Sequence, residues 1–212
     1  MSDFLILTER SVDFAQADTP HKVMSVRDYL ARPDLFSGRR PVVVNLARSY
    51  AYQSAGYYAS LLAEARGHRV VPTVQTMLEL ASKSLYAAAL PDLNAALNRD
   101  ARKLAEAADF RMLVGFGQTD RPGYERFGRL LFDWFRCPLI DVSVKAGETL
   151  AIRRLKPLGP DDLGETRYAF LVDTLDRYAR RAWAAPRTKT PLRWTLAVLH
   201  NPREAMPPSK FR

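Results

Sequence analysis

Cysteine is nearly missing from this 212-residue chain. Cys137 stands alone, which excludes an intrachain disulfide and any zinc site built from several thiolates. Its neighbours in Trp134-Phe135-Arg136-Cys137-Pro138-Leu139 are large and apolar, so it reads as a small core residue, and a reducing compartment is expected. Histidine is scarce too. His21, His68 and His200 lack a further His, Cys or paired carboxylate at metal-ligand spacing, so no metal site is assigned. His68 follows Gly67 at an expected helix end, where the dipole favours a positive ring. No apolar run is long enough to cross a bilayer, and Met1-Ser2-Asp3-Phe4 lacks the basic and apolar regions of a secretion signal. A cytoplasmic location and no membrane partner are expected. Gly115-Phe116-Gly117 lacks the third glycine of a dinucleotide loop, and no P-loop lysine follows it, so a plain turn is expected there. No nucleophile elbow occurs, and no catalytic residue is assigned.

What is present is the balance of a globular protein. Hydrophobic residues make up 47% and charged residues 26%, enough to build a core without cross-links. The net charge is +9, and from 186 onward six basic residues face one acid, Glu204. That basic end reads as a solvated tail facing a partner. Nucleic acid is the weaker reading, because no base-stacking or DNA-reading motif accompanies the charge.

Hydrophobic patterning predicts strands at 4–7, 22–26, 40–46, 70–72 and 110–117, then a hairpin of 138–144 and 150–155 turning at Lys145-Ala146-Gly147-Glu148. Three consecutive valines, Val42 to Val44, suit a parallel strand buried on both faces. Tyr58, Leu61, Leu62 and Ala65 share a helical face and predict a helix ended by Gly67, which makes 40–72 a βαβ unit. Further helices are expected over 76–84, with Met77, Leu78 and Leu80 inward, and over 92–107. Another is expected after Asp120 as N-cap, with Tyr124, Phe127, Leu131 and Trp134 as its buried stripe. Asp161, Asp162 and Glu165 are expected to open the longest helix, with Leu171, Leu175, Tyr178 and Ala182 inward and Arg177, Arg180 and Arg181 near its end. The expected fold class is α/β, a Rossmann-like layered sheet with flanking helices and an additional hairpin. One domain is expected over 1–185. A linker and the first strand of a following region are expected over 186–212, with that strand at 193–200.

The segment after the valine strand is the most unusual. Asn45, Arg48, Ser49, Tyr50, Tyr52, Gln53, Ser54 and Tyr57 gather amide, guanidinium and hydroxyl groups between a strand end and a helix start. Ligands of open α/β sheets bind at such ends, and a helix start offers free amides to an anion. These eight residues are the ligand-binding candidates, for a small anion or a peptide terminus. The competing reading is a hydrogen-bonded turn with its tyrosines packed on the sheet edge, and spacing alone leaves both open.

The stretch from Asn45-Leu46-Ala47-Arg48-Ser49-Tyr50-Ala51-Tyr52-Gln53-Ser54-Ala55-Gly56-Tyr57-Tyr58 to Gly67-His68 resembles the signature of the RimK-like ATP-grasp N-terminal domain. Arg27-Asp28-Tyr29-Leu30, Pro72 with Thr76, Phe116-Gly117, and Leu131-Phe132 leading to Pro138-Leu139 extend the likeness to about 185. Ala47 departs from it, standing where a cysteine is expected, and Ala51 stands where a larger residue is usual. The resemblance implies a non-catalytic accessory domain of an ATP-dependent carboxylate–amine ligase that contributes substrate or acceptor recognition. It implies no cofactor in this chain, with ATP and magnesium held by an ATP-grasp catalytic region acting in cis or in trans. Trp194 to Asn201 with Pro207-Pro208-Ser209 looks like the opening of that region. The alternative is an interaction module docking on a separately encoded ligase subunit, with nucleic-acid binding third.

Overall fold

The computed structural model describes residues 4–180 apart from 11, 37, 39, 103 and 105–107. The chain divides into units Met1–Arg181 and Ala182–Arg212. The expected linker, the strand at 193–200, Arg181 and Ala182 lie outside the described residues.

Four short apolar runs become a parallel sheet. Strands β1 (Phe4–Thr8), β2 (Lys22–Ser25), β3 (Val42–Leu46) and β4 (Arg69–Val71) lie in the order β2-β1-β3-β4. Every residue of β1 and β3 is buried, as uninterrupted Phe-Leu-Ile-Leu and Val-Val-Val runs require. Leu5 lies opposite Val43, and Val43 opposite Val70. The chain leaves β1 toward β2 on one side and returns to β3 on the other, so a topological switch point falls between β1 and β3.

Helices α1 (Val26–Ala31) and α2 (Ala55–Ala65) make the crossovers. Val26, expected to end a strand, begins α1 instead. The Ser25 hydroxyl accepts the Asp28 amide at 3.0 Å and donates to the Asp28 carboxylate at 2.8 Å, a reciprocal cap that starts the helix there. Helix α2 ends as predicted at Gly67, with φ +70°: the Gly67 amide donates to Glu64 C=O at 3.0 Å and the His68 amide to Ala63 C=O at 2.9 Å.

The buried face of α2 is not the predicted one. Gly56, Ala59, Ser60 and Ala63 face inward, whereas Tyr58, Leu61 and Ala65 are exposed and Leu62 is half-buried. The cause is proximity. A Cβ on Gly56 would stand 2.3 Å from Ser49 C=O and 2.6 Å from the Ala47 Cβ, so only small residues fit between α2 and the strand end.

Helices α3 (Val74–Ala81) and α4 (Leu90–Ala101) lead into a second, antiparallel sheet. Its strands β5 (Phe110–Gly115), β6 (Gln118–Thr119), β7 (Leu139–Lys145) and β8 (Ala151–Pro157) take the order β6-β5-β7-β8. The predicted hairpin is β7–β8, and it pairs through β7 with β5. β5 and β6 meet at Phe116-Gly117, whose positive φ values of 47° and 84° suit a two-residue hairpin turn.

One face of this sheet (Met112, Val114, Ile140, Val142, Leu155) belongs to a core with Leu93 and Leu97 of α4 and with α5 (Glu125–Phe135). The buried stripe is Tyr124, Phe127, Leu131 and Phe135; each large side chain there contributes about 2 kcal/mol by burial. Trp134, expected in the stripe, is 42% exposed; Phe135, four residues from Leu131 where Trp134 is three, takes the sheet side instead. Leu78 is likewise exposed, while Met77 and Leu80 are buried. Asp120 does not cap α5. Its carboxylate accepts the Leu113 amide at 2.7 Å and extends the β5–β6 hairpin instead. Cys137 is buried as expected, and burial pushes its thiol up to about 12.

Helix α6 (Glu165–Arg180) crosses the other face and buries Leu171, Thr174 and Leu175 against it. It opens at Glu165; Asp161 and Asp162 belong to a separate 3-10 turn, divided from α6 by Leu163 and Gly164. Tyr178 stacks on Phe116 at 4.7 Å between ring centroids, and the Tyr168 hydroxyl donates to Asp18 at 2.7 Å. Elsewhere this face is charged: Asp141, 1% exposed, takes Arg111 at 2.6 Å and has Arg167 at 4.0 Å.

Candidate functional site

The segment after β3 lies at the carboxyl ends of the parallel strands, where the valine run stops. Asn45 is fully buried. Its amide donates to Gly56 C=O at 2.8 Å and the Ser60 hydroxyl at 2.9 Å, while its carbonyl accepts the Ala47 amide at 3.2 Å. Arg48 holds Asp13 with Nε at 3.0 Å from Oδ2 and Nη2 against Oδ1, and approaches Asp161 at 3.6 Å. Its guanidinium keeps the Asp13 carboxyl below the ordinary range. The Arg48 amide donates to Glu9 at 3.1 Å, which ties the end of β3 to the end of β1.

Ser49 accepts the Ala51 amide at 3.2 Å through its hydroxyl and the Ser54 hydroxyl at 2.9 Å through its carbonyl. Ser54 also caps α2 by accepting the Tyr57 amide at 3.2 Å. Tyr50 donates to Asn45 C=O at 2.6 Å and packs against the cores of both sheets; burial raises its phenol well above the usual value. Gln53 adopts φ +64° and is exposed. Tyr52, 67% exposed, meets Tyr57 edge-on at 5.2 Å between centroids, and Tyr57 meets Tyr58 at 5.7 Å. The first half of the motif thus points inward as a hydrogen-bonded frame, and Tyr52, Gln53 and Tyr57 stand on its outer side.

Two hollows flank this frame, and Arg48 lines both. One, of about 770 Å³, lies at the switch point, with Glu9 and Arg10 after β1, Arg27 and Leu30 of α1, and Ala55 at the start of α2. Its rim carries both charge signs over an apolar wall. Among the described residues Arg10 and Arg27 form no ion pair. The other hollow, of about 760 Å³, opens between the motif, the end of α3 and β8. Glu9, Arg10, Arg27 and Asp13 were not read as site residues from the sequence. They are far from the motif in the chain: the parallel pairing of β1 with β3 brings Glu9, Arg10 and Asp13 to it, and the pairing of β2 with β1 brings Arg27.

His68 has a structural role in the core rather than one on the surface of the helix end. It is 7% exposed, with Nδ1 2.9 Å from the Tyr29 hydroxyl. Burial, assisted by Arg66, lowers its pKa and so disfavours the positive ring that the helix end by itself would favour. At Phe116-Gly117 the Phe116 amide donates to Pro138 C=O at 2.9 Å. That amide is therefore committed to the fold and does not point at a phosphate. Among the described residues no cluster of three or more His, Cys, Asp or Glu could hold a metal ion, and no helix is long and apolar enough to cross a membrane.

The geometry defines a class: an α/β domain with a ligand-sized hollow at its parallel switch point and an antiparallel sheet joined to it. The family model described as RimK-like ATPgrasp N-terminal domain matches residues 26–174, and the chain belongs to that family. No curated protein matches the chain.

Proposed function

We propose that this domain serves an ATP-dependent RimK-like carboxylate–amine ligase as a non-catalytic recognition part, with the switch-point hollow as its substrate or acceptor site. The observation that carries the reading is that Glu9, Arg10 and Arg27 line one crevice of ligand size. A carboxylate beside guanidinium groups complements a free amino acid, which bears one charge of each sign, and the guanidinium groups alone suit the C-terminal carboxylate of a peptide. The Asn45–Ser54 frame positions that rim: the Arg48 amide holds Glu9, and Ser54 starts α2 at the crevice edge. Of the eight motif residues, Arg48 lines the crevice itself, and Tyr52, Gln53 and Tyr57 are the ones placed to meet a larger ligand. ATP and magnesium belong, in this reading, to a catalytic region supplied in cis or in trans, and the setting is cytoplasmic.

Titration calorimetry of the chain with free amino acids, short peptides and ATP·Mg tests the proposal. Binding of an amino acid or peptide, weakened about tenfold by Arg27→Ala, is expected. Tight binding of ATP·Mg by this chain alone contradicts it.

A second reading, docking on a separately encoded ligase subunit, draws on the outward Tyr58 and Leu61 of α2 with the nearby Tyr52, large side chains that the fold leaves exposed. Co-purification with a ligase, lost in Tyr58→Ser with Leu61→Ser, would favour it.

A further inference from the structure

We infer that the domain has a second binding site, a basic groove along β8 that takes an acidic polypeptide segment in extended form. The inference concerns the antiparallel sheet and is independent of what the switch-point crevice binds.

β8 is the edge of its sheet, and its register slips at Ser143/Val144: Ser143 pairs with Arg154, but Val144 pairs with Ile152. Arg153 is therefore the extra residue of a bulge, and a bulge re-aims side chains. Both Arg153 and Arg154 are exposed, between the inward Ile152 and Leu155, and both line the hollow beside α3 as well as a neighbouring one of about 660 Å³ toward Arg111 and Ser143. They form a ridge joining two hollows into one groove. Lys156 and Lys83 extend the charge along the first hollow. Among the described residues no carboxylate pairs with Lys83, Arg153 or Arg154, while Lys156 meets Asp162 only at 3.8 Å.

The edge itself is closed to strand addition. The amides of Leu150, Ile152 and Leu155 donate to Asn98 at 2.8 Å, Asn94 at 2.9 Å and the Tyr86 hydroxyl at 3.3 Å. A ligand must therefore be read by side chains, not by main-chain pairing. Arg154 and Lys156 are two residues apart on an extended strand, a spacing of about 6.7 Å. Alternate carboxylates of an extended peptide repeat at the same distance. Nucleic acid fits less well. Tyr50 and Tyr86 at the hollow are packed into the core and offer no free ring for base stacking. The chain's own segment from 186 onward is basic, so it does not complement the groove.

The test is fluorescence anisotropy of the full chain with a labelled peptide of about a dozen residues with alternating glutamates. Its glutamine counterpart and a single-stranded RNA of similar charge are run beside it. The acidic peptide should bind, and bind more tightly than the RNA; the glutamine peptide should not bind. Arg153→Glu with Arg154→Glu should weaken binding at least about tenfold, while Arg126→Glu, on exposed α5 surface, should not. Lys83→Glu with Lys156→Glu is the second variant should the first lose its fold by circular dichroism. Equal binding by either folded groove variant and the parent, equal binding of the glutamine peptide, or tighter binding of the RNA overturns the inference.

Discussion

The two sheets treat their polar residues in opposite ways. The central strands β1 and β3 of the parallel sheet are buried throughout, so polar groups gather at their carboxyl ends, where folding gives them partners: Asn45 with Gly56 and Ser60, Arg48 with Asp13. The antiparallel sheet is apolar on one face, and on the other it is charged where α6 does not cover it. There Asp141 finds Arg111, but among the described residues Arg153 and Arg154 find no carboxylate. Density of functional residue types in a sequence therefore does not measure readiness to bind. The motif richest in such types supplies the frame, and open charge lies beside it, on Arg10, Arg27 and β8.

The helices that cover the sheets differ in the same spirit, and this gives the sharpest ways to break the comparison. Helix α5 holds its sheet with large rings. Phe127→Ala should cost about 4 kcal/mol in urea unfolding, and a loss under about 1 kcal/mol would mean that this core is loosely packed. In the parallel half the equivalent anchor is polar. Asn45→Leu leaves Gly56 C=O and the Ala47 amide buried without their partner, and should cost about 3 kcal/mol by the same measurement.

Helix α2 should respond in the reverse sense to α5. Ala59→Leu should destabilise by about 2 kcal/mol through overpacking, whereas Tyr58→Ala on the outer face should stay within about 0.5 kcal/mol. Exchange of those two outcomes would restore the face that hydrophobic spacing suggested.

The smallest effect is a pH slope. His68 has its pKa lowered in the folded state, so its contribution to stability is complete above the ordinary value of 6.5 and declines as pH falls below it. Thermal unfolding of the parent should worsen through that window, and His68→Gln should flatten the slope. An unchanged slope in the variant would assign the acid sensitivity to other groups.

Much of this was legible in the chain itself. Apolar runs marked β1 and β3 as strands, the valines of β3 marked it as buried on both sides, Gly67 marked the end of α2, and Lys145 to Glu148 marked a hairpin, because each depends on local backbone chemistry. The family likeness was legible at 45–68 and is matched over 26–174. What the tertiary structure alone decided is which groups meet. Tyr58 and Leu61 look like core residues by spacing, but α2 approaches the loop at Ser49 so closely that Gly56 is required there, and the face that follows it inward carries Ala59 and Ala63. Asp13 is 35 positions from Arg48 and becomes its partner only when β1 and β3 pair. Local propensity acts within a few residues, whereas the pairing of charges and the choice of a buried face depend on long-range approach, and that is set by the fold.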